Sequence, residues 1–462
     1  MLLRERGEPM SPSTPPLKSI FRRLGELGCD TAYVKVLAKN DNTKNQPYLS
    51  KSFEGLHLLP HGELRSEKTD RGLIYKADIN LSWLDESLRF AVAPESKLIL
   101  YPQYPEVRLS GFLRGCETAP SELMRPRKTG YTIPNRIMIL GVSTSTGHVY
   151  GYLAAEQSTA YQQLVPRLED FEKRGVLFDV GSLLPMVGGD TKKQLLDKLY
   201  EIHLHDWIVS KRLDKGGNLL PCLSPNCGGY TLEAELDIRP NSRSEPDFLG
   251  WEVKQHAVPT FENLEKRLLN KGTAVTLMTP EPTGGYYAEA GVERFIRDYG
   301  YADRTGREDR LNFGGKYVFN VPSPLTRVRL LTTGFEAKSG KMDGTGSIVL
   351  IREKETHPAA VWQFSDLLKH WSRKHAKAVY VPSMCRHQDS LAYRFANVVR
   401  LGEGTDFIRF LRAVHGGFVY YDPGIKLEHA SGKPVIKRRS QFRILSGDIP
   451  CLYSKMTTQG LK

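Results

Sequence analysis

Short runs of apolar residues, rich in β-branched and aromatic side chains, recur through the first third of the chain. Examples are residues 32–37, 136–142 and 148–153, and Gly, Pro, Asn or Asp separates such runs from one another. Runs of this length bounded by turn-forming residues are typical of β-strands. The pattern predicts a β-rich domain over residues 21–157, resembling a small β-barrel, after a flexible tail over residues 1–20.

The spacing of apolar residues changes to a helical period after this region. Leu195, Leu199 and Ile202 share one face of a helix, and we expect residues 158–215 to form a helical connector. Beyond it, helical and strand patterns are mixed, so residues 216–455 are predicted to form an α/β domain. The expected fold class is therefore mixed α/β, with an amino-terminal β-barrel-like domain and a carboxy-terminal α/β domain.

Composition indicates a folded protein of more than one domain. The chain has 462 residues, of which 40% are hydrophobic and 25% charged, and these values exclude a wholly disordered, collagen-like or coiled-coil protein. No apolar run approaches the roughly 18 residues of a membrane span, and the amino terminus lacks a secretory signal. Six cysteines are too sparse for a disulfide scaffold. We expect a cytoplasmic protein without a membrane partner.

The charge balance favours a polyanionic partner. Lys and Arg number 65 against 52 Asp and Glu, which gives a net charge of +13. Cationic side chains that neutralise phosphates release counterions, so a basic protein of this kind suits nucleic acid. A merely basic enzyme is the alternative.

The strongest chemical signal is the segment Glu245-Pro-Asp-Phe-Leu-Gly-Trp-Glu-Val-Lys-Gln255. Glu252 and Lys254 are two residues apart on a predicted strand, so their side chains leave the same face, and Asp247 precedes them at a turn. Two carboxylates and an ammonium that converge suit a Mg²⁺ site at which water hydrolyses a phosphodiester. The alternative is an exposed strand with an alternating salt bridge.

Several segments around this motif resemble, in the same order, the MvaI/BcnI-type restriction endonucleases, relatives of the MutH mismatch-repair nicking enzyme. These segments are Gly228-Gly-Tyr-Thr-Leu-Glu233, Asp247-x4-Glu252-x-Lys254, Val275-Thr-Leu-Met-Thr-Pro-Glu-Pro282, Asp422-Pro-Gly-Ile-Lys426 and Lys437-Arg-Arg-Ser-Gln-Phe-Arg443. Together they cover about half of the chain, over residues 190–455.

The resemblance implies a PD-(D/E)xK nuclease core that cuts double-stranded DNA with Mg²⁺ as its cofactor, acting as a monomer on short C/G-rich sites. By position, Asp247 and Glu252 would be metal ligands, Lys254 the catalytic lysine and Glu233 an accessory carboxylate. Glu233 could instead be an ordinary helix-surface residue. A cognate DNA methyltransferase can accompany such an enzyme as a second partner.

A basic segment over residues 433–443 contains no acidic residue. Arg suits bidentate contact with guanine, Gln with adenine and Lys with phosphate. A solvated basic face is the alternative for each residue by itself. The side chains expected to contact DNA are Lys437, Arg438, Arg439, Gln441 and Arg443.

A strand followed by a polar loop over residues 33–49 resembles the opening of the amino-terminal effector domain of EcoRII-type enzymes, which binds DNA. The likeness ends after Asn42, because Thr43-Lys-Asn-Gln46 replaces the expected Gly-rich loop. A turn in an unrelated β domain is the alternative. If the resemblance holds, this domain recognises a site or restrains the nuclease half. The residues then expected at or near DNA are Lys39, Asn40, Asp41, Lys44, Asn45 and Gln46.

Two further pairs could begin metal sites, Cys222-x4-Cys227 and His203-x-His205. No second pair follows the cysteines at the spacing of zinc ligands. We expect a structural or incidental role for the cysteines and surface or packing roles for the histidines.

The observations together predict a Mg²⁺-dependent, site-specific double-stranded DNA endonuclease, either a type II restriction enzyme or a related phage-defence nuclease. Two alternatives stay open: a MutH-like repair endonuclease that nicks one strand, and a DNA-binding regulator that does not cut.

Overall fold

The computed structural model describes residues 14–38, 46–50, 53, 55–70, 72–125, 135–185, 191–224, 227–239, 247–270, 272–374, 377–387, 390–429 and 431–462. None of the helices in these ranges is long and apolar enough to cross a membrane. The first helix begins at Leu17, so part of the tail predicted over residues 1–20 is ordered, while residues 1–13 lie outside the described ranges.

The elements of the amino-terminal part are α1 (Leu17–Glu26), β1 (Thr31–Leu37), β2 (Tyr48–Ser50), α2 (Gly55–Leu58), β3 (Arg65–Thr69), β4 (Gly72–Asp78), β5 (Asn80–Leu84), β6 (Phe90–Val92), β7 (Lys97–Tyr101), β8 (Glu106–Ser110), β9 (Arg136–Ser143), β10 (His148–Ala155), α3 (Thr159–Leu164), β11 (Lys173–Arg174) and β12 (Leu177–Asp179).

The elements of the carboxy-terminal part are α4 (Thr191–Leu204), β13 (Ile208–Val209), β14 (Lys211–Leu213), β15 (Leu219–Pro221), α5 (Cys227–Glu235), β16 (Glu252–Ala257), α6 (Leu264–Leu268), β17 (Ala274–Met278), α7 (Tyr286–Tyr299), β18 (Tyr301–Ala302), β19 (Arg310–Gly314), β20 (Val328–Glu336), β21 (Lys341–Arg352), β22 (Ala360–Gln363), α8 (Phe364–Lys374), β23 (Lys377–His387), β24 (Leu391–Phe395), β25 (Val398–Glu403), α9 (Phe407–His415), β26 (Val419–Tyr421), β27 (Gly424–Glu428), β28 (Val435–Lys437), β29 (Phe442–Leu445) and β30 (Lys455–Gly460).

The larger amino-terminal sheet has seven strands in the order β11-β12-β1-β9-β10-β5-β6. Its strand β9 is buried on both faces: Ile137 and Ile139 pack with α1 and α3, while Met138 and Leu140 face the main core. A strand covered on both sides reads as a continuous apolar run rather than an alternating one. That explains the unbroken apolar stretch that the sequence shows here.

A second amino-terminal sheet has five strands in the order β2-β8-β7-β4-β3. Alternate side chains, such as Leu98, Leu100, Val107 and Leu109, point into the main core. The prediction of a β-rich amino-terminal half is confirmed. Within the described ranges its strands pair into two open sheets, without the pairing that would close a barrel.

The segment predicted as a helical connector, residues 158–215, contains both α3 and α4. It also contains the short strands β11 and β12, and β12 pairs with β1 in the seven-stranded sheet. Part of this segment therefore belongs to the amino-terminal sheet. The domain boundaries themselves remain predictions.

The main carboxy-terminal sheet has the order β13-β24-β23-β25-β30, and β16 pairs with β23 in parallel. Helices α4 and α5 cover one face, where Leu199 and Leu232 pack with Val253. On the other face, Tyr380 and Tyr453 belong to the main core. The smaller sheets are β14-β15, β17-β29-β26, β18-β19-β27-β28 and β20-β21-β22. The mixed α/β class predicted from the sequence is confirmed.

The two parts of the chain share one hydrophobic core. Tyr75 and Leu100 from the amino-terminal part belong to the same buried cluster as Leu350 from the carboxy-terminal part. The buried hydroxyl of Tyr75 donates a hydrogen bond of 2.8 Å to the carbonyl oxygen of Gly344 in β21. Because this contact has no solvent to replace it, the amino-terminal sheet and the hairpin β20–β21 support each other.

Close approach at Gly344 gives a test of this contact. A Cβ added at Gly344 would lie 2.5 Å from Cβ of Leu73, whereas one added at Gly460, also in a strand, meets nothing within 4 Å. We expect Gly344→Ala to lower the free energy of unfolding by about 1–3 kcal/mol through overpacking. Gly460→Ala should leave it unchanged or raise it slightly. Denaturant unfolding measures both, and equal stability of the two variants would contradict the shared core.

Candidate active site

The chain turns tightly between Phe248 and Trp251, whose backbones exchange hydrogen bonds of 2.9 and 2.8 Å. Gly250 in the turn has a φ of 83°, a conformation that glycine adopts without strain. The strand consequently begins at Glu252, directly after the turn. The turn folds Asp247 back toward the start of the strand.

Asp247, Glu252 and Lys254 are brought together, as the sequence predicted. The backbone N–H of Val253 donates a hydrogen bond of 3.0 Å to Oδ2 of Asp247. Nζ of Lys254 lies 2.5 Å from Oε1 of Glu252. Trp251 and Val253 pack into the cluster on the opposite face of the strand, so alternation along β16 separates the charged face from the apolar one.

The charged face of β16 is strongly shielded from solvent. The side chain of Glu252 has no exposed surface, and that of Lys254 is 22% exposed. Burial by itself would lower the pKa of Lys254, but the carboxylates of Glu252 and Asp247 and the hydrogen bond to Glu252 outweigh it and raise the pKa. Lys254 is therefore an ammonium at neutral pH.

The donor set fits a hard divalent cation that keeps much of its water. Oε2 of Glu252 is buried and has no hydrogen-bond partner among the described residues, an arrangement that is costly unless a cation satisfies the oxygen. Asp247 supplies a carboxylate beside it, and Mg²⁺ is commonly bound by one or two carboxylates. Within the described ranges, no group of three or more His, Cys, Asp or Glu side chains forms a metal cage.

Two tyrosines that the sequence analysis did not identify lie beside the ion pair of Glu252 and Lys254. Tyr380 is the register partner of Lys254 on the parallel strand β23, and its Oη lies 2.9 Å from Oη of Tyr453. Burial raises the pKa of Tyr380 to about 12, so the phenol stays neutral. The pairing of β16 with β23 joins residues that are far apart in the sequence, and no local sequence pattern predicts it.

His256 follows Glu252 and Lys254 on the same face of the strand. It is buried, and neither ring nitrogen has a hydrogen-bond partner in the part of the chain that the structure describes. Burial, followed by the charge of Arg400, lowers the pKa of His256 to about 4. His256 therefore adds no positive charge to the site at neutral pH.

Helix α5 packs closely against β16 because Gly228 has no side chain. A Cβ at Gly228 would lie 2.9 Å from Oε1 of Gln255 and 3.0 Å from Cε1 of Tyr393. Gln255 is fixed by a hydrogen bond of 2.7 Å from its Nε2 to Oγ of Ser383. The half-buried Glu233 lies on this helix, and its role as an accessory carboxylate stays a prediction.

The cysteine pair and the histidine pair have structural surroundings. Cys222 and Cys227 form a disulfide, with Cα atoms 5.7 Å apart, so their sulfurs are not placed as zinc ligands. Nδ1 of His203 lies 2.8 Å from the carbonyl oxygen of Phe395, and His205 lies beside Glu235. The packing roles expected for the histidines agree with these contacts.

The basic carboxy-terminal segment divides into engaged and exposed side chains. Nζ of Lys437 lies 2.8 Å from Glu428, and Arg443 bonds Asp422 at 2.7 Å and the carbonyl oxygen of Ala274 at 3.0 Å. Of the five predicted DNA contacts, Arg438 and Arg439 are exposed and have no ion pair among the described residues. The uncharged Gln441 is half-buried.

Of the predicted amino-terminal contacts, Lys39, Asn40, Asp41, Lys44 and Asn45 lie outside the described residues. Gln46 is described: its Nε2 donates a hydrogen bond of 3.0 Å to Oγ of Ser110. Gln46 also lines an open cleft of about 1350 Å³ on the outer face of the five-stranded sheet, with Tyr101 and Arg108 among the other lining residues.

The close contact of α5 with β16 predicts different effects for two neighbouring glycines. Gly228→Ala should press on Gln255 and Tyr393, whereas a Cβ at Gly229 meets nothing within 4 Å. We expect faster amide hydrogen exchange in α5 and β16 for Gly228→Ala. Gly229→Ala should slow exchange in α5, because alanine favours a helix over glycine by about 1 kcal/mol. Unchanged exchange in Gly228→Ala would show that the helix does not need this close approach.

Comparisons with known proteins bear on the carboxy-terminal part. Two solved structures are similar to the chain, each with 16% sequence identity. One, a complex of restriction endonuclease MvaI with its cognate DNA substrate, covers 59% of this chain and 99% of its own, with a TM-score of 0.43. The other, MvaI in the absence of DNA, covers 58% and 98%, with a TM-score of 0.31. No curated protein matches the chain.

The model of the MvaI/BcnI restriction endonuclease family matches residues 196–453, which is more than half of the chain and includes every segment that carried the resemblance. The likeness of the amino-terminal part to EcoRII-type enzymes lies outside this match and stays a prediction. The chain belongs to the MvaI/BcnI restriction endonuclease family and is a type II site-specific deoxyribonuclease.

Proposed function

We propose that Asp247 and Glu252 bind Mg²⁺ and that Lys254 assists hydrolysis of the scissile phosphodiester bond in double-stranded DNA. The observation that carries this proposal is the convergence of the three side chains on one face of β16, with Glu252 buried and ion-paired. Mg²⁺, when bound, supplies the positive charge that stabilises negative charge developing on the phosphate. PD-(D/E)xK chemistry is the reaction that this set of residues supports.

Lys254 has the charge and the restraint that its role requires. It is held at Glu252 by a contact of 2.5 Å, and its raised pKa keeps it protonated. A fixed ammonium can donate a hydrogen bond to a phosphate oxygen and lower the cost of the attack by water. Val253 fixes the carboxylate of Asp247 through its backbone, so a substitution at position 253 would leave that hydrogen bond in place.

DNA as the partner follows from the family. We infer that Arg438 and Arg439 contact DNA directly, because both are exposed and have no ion pair among the described residues. Arg443 holds β29 against its neighbours through Asp422, so it positions this segment. Lys437 can exchange Glu428 for a phosphate, and Gln441 is retained as a base contact.

The amino-terminal part is proposed as a second DNA-binding region. Gln46 lines the cleft beside Arg108, and in the sequence it directly follows the segment that contains the other predicted contacts, Lys39, Asn40, Asp41, Lys44 and Asn45. We also propose that the enzyme serves phage defence alongside a cognate DNA methyltransferase, as a restriction enzyme of this class would.

Mg²⁺-dependent cleavage tests the catalytic assignment. Incubation with unmethylated phage DNA should give discrete fragments with Mg²⁺ and none with EDTA. We expect Asp247→Ala and Lys254→Ala each to reduce the cleavage rate at least about 100-fold, since each removes a group that acts on the transition state. Binding to DNA, measured in EDTA by mobility shift, should survive in both variants.

Two further variants serve as controls for this test. Asp247→Asn keeps the shape of the side chain and should also be inactive, which separates the loss of charge from a packing defect. Lys338 belongs to a second Glu-x-Lys sequence and is exposed, so Lys338→Ala should cut like the unaltered enzyme. Full activity of Asp247→Ala or Lys254→Ala would refute the assignment.

If Arg438 and Arg439 contact DNA, replacing them should change the salt dependence of DNA-binding affinity. Each cation that contacts a phosphate contributes about 0.9 to the slope of log K against log salt concentration. The double variant Arg438→Gln/Arg439→Gln should therefore lower this slope by about 2 if both arginines contact phosphates. The matched control is Arg294→Gln/Arg327→Gln, which removes the same charge from exposed positions outside both proposed DNA-binding regions. Equal slopes in the two double variants would show that the segment does not contact DNA.

A further inference from the structure

The hairpin formed by β14 and β15 precedes the helix α5 and is braced at its tip. Oδ1 of Asp214 accepts a hydrogen bond of 2.9 Å from the backbone of Asn218, and Oδ2 accepts one of 3.0 Å from its side chain. The backbone N–H of Gly217 donates to the carbonyl oxygen of Asp214 at 3.1 Å. These hydrogen bonds therefore fix the conformation of the turn between β14 and β15.

Apolar side chains on this hairpin face solvent. Leu219 is 60% exposed, Leu220 36% and Leu223, just after the hairpin, 85%. Leu219 and Leu220 leave opposite faces of the strand, so the hairpin presents exposed apolar surface on both sides. Exposed apolar surface concentrated in one short segment is typical of an interaction site. The leucines have no covering element among the described residues.

Cations surround these leucines. Arg212, Lys215 and Arg239 are exposed, and none of them has an ion-pair partner in the described ranges, in contrast to Lys211, which pairs with Glu235. The one nearby acid of the hairpin, Asp214, is occupied by Asn218. An apolar projection flanked by cations is complementary to a polyanion that also offers apolar faces, and the DNA on which this family acts is such a partner.

The hairpin is attached firmly to the helix that packs on β16. Oγ1 of Thr231 in α5 accepts a hydrogen bond of 3.2 Å from the backbone N–H of Lys211, and the disulfide between Cys222 and Cys227 joins the end of the hairpin to the start of α5. These two links fix the position of the hairpin relative to α5.

The length of chain between Arg239 and Asp247 limits how far the hairpin tip can lie from the proposed catalytic residues. A Cβ at Gly217 would lie 3.0 Å from Cζ of Arg239, and Asp247 is eight residues further along the chain. Eight residues span at most about 28 Å, so with the side chain of Arg239 added the hairpin tip lies within roughly 40 Å of Asp247, little more than one turn of the DNA double helix, about 34 Å. A duplex of two turns with its scissile phosphate at Asp247 is therefore long enough to extend as far as the hairpin.

We propose that this hairpin enters the minor groove of the bound DNA, with Leu219 and Leu223 as apolar wedges and Arg212 and Lys215 on the flanking phosphates. Leucine has no donor or acceptor with which to read the hydrogen-bond pattern of the major groove. Apolar side chains do insert between base steps from the minor groove and bend the duplex. The proposal rests on the catalytic site proposed above, because it assumes DNA at Asp247, and adds a second element that grips the same duplex.

The test compares leucine variants on a short duplex that carries a cleavage site mapped with the unaltered enzyme. We expect Leu219→Ser/Leu223→Ser to weaken binding in EDTA at least about tenfold, corresponding to about 1.4 kcal/mol. Leu269→Ser is the matched control, since Leu269 is 75% exposed and follows α6, beyond the opposite end of β16. It should bind within about twofold of the unaltered enzyme on the same scale.

Hydroxyl-radical footprinting locates the contact, because this reagent attacks sugars from the minor groove. The unaltered enzyme and Leu269→Ser should protect a run of sugars that the double leucine variant leaves exposed, while other protections remain. A separate variant, Arg212→Gln/Lys215→Gln, should lower the salt slope by about 2. Equal affinities and identical footprints for the leucine variant and its control would overturn the proposal.

The outcomes separate this inference from the catalytic assignment. If the unaltered enzyme cuts DNA with Mg²⁺ but the leucine variant binds and protects like the control, the hairpin proposal fails alone. If the unaltered enzyme neither cuts nor binds, the catalytic assignment fails and the hairpin proposal falls with it.

Discussion

A carboxylate without exposed surface is costly in a protein interior unless it has a partner, and Lys254 is the cation that pairs with the buried Glu252. Removing one partner of such a buried pair costs about 3–5 kcal/mol, because the other is left uncompensated. The backbone must therefore keep both side chains on one face of β16. The turn at Gly250 and the close packing of α5 at Gly228 keep that strand in place.

Local sequence was sufficient to predict that Asp247, Glu252 and Lys254 lie together, and insufficient to predict the residues that surround them. The spacing of Asp247, Glu252 and Lys254 requires only a strand and a turn, both of which are encoded within a few residues. Tyr380 lies beside Lys254 only because β23 pairs with β16, and no local pattern specifies a partner so distant. The residues of the basic segment also differ in their contacts. Arg443 forms an ion pair with Asp422, and the sequence does not reveal this contact.

The same limit applies to the larger organisation of the chain. Helical spacing correctly indicated α3 and α4, but two-residue strands such as β11 are too short to leave a periodic signal. Alternation and turn formers predicted the β-rich character of the amino-terminal part, since these are local properties. How its strands divide between two sheets depends on pairings such as that of β5 with β10, which the sequence does not display.

The hydrogen bond from Tyr75 to Gly344 has a consequence for how this nuclease can be reused. An engineer who wished to graft the catalytic part onto a different targeting module would have to cut through a continuous apolar interior. The cut would uncover Met342, which is now buried and whose backbone N–H donates a hydrogen bond of 3.4 Å to the carbonyl oxygen of Pro102. The exposed apolar surface of such a fragment would have to be made polar, for example by substitutions on the hairpin β20–β21, before the fragment could be used as a separate nuclease domain.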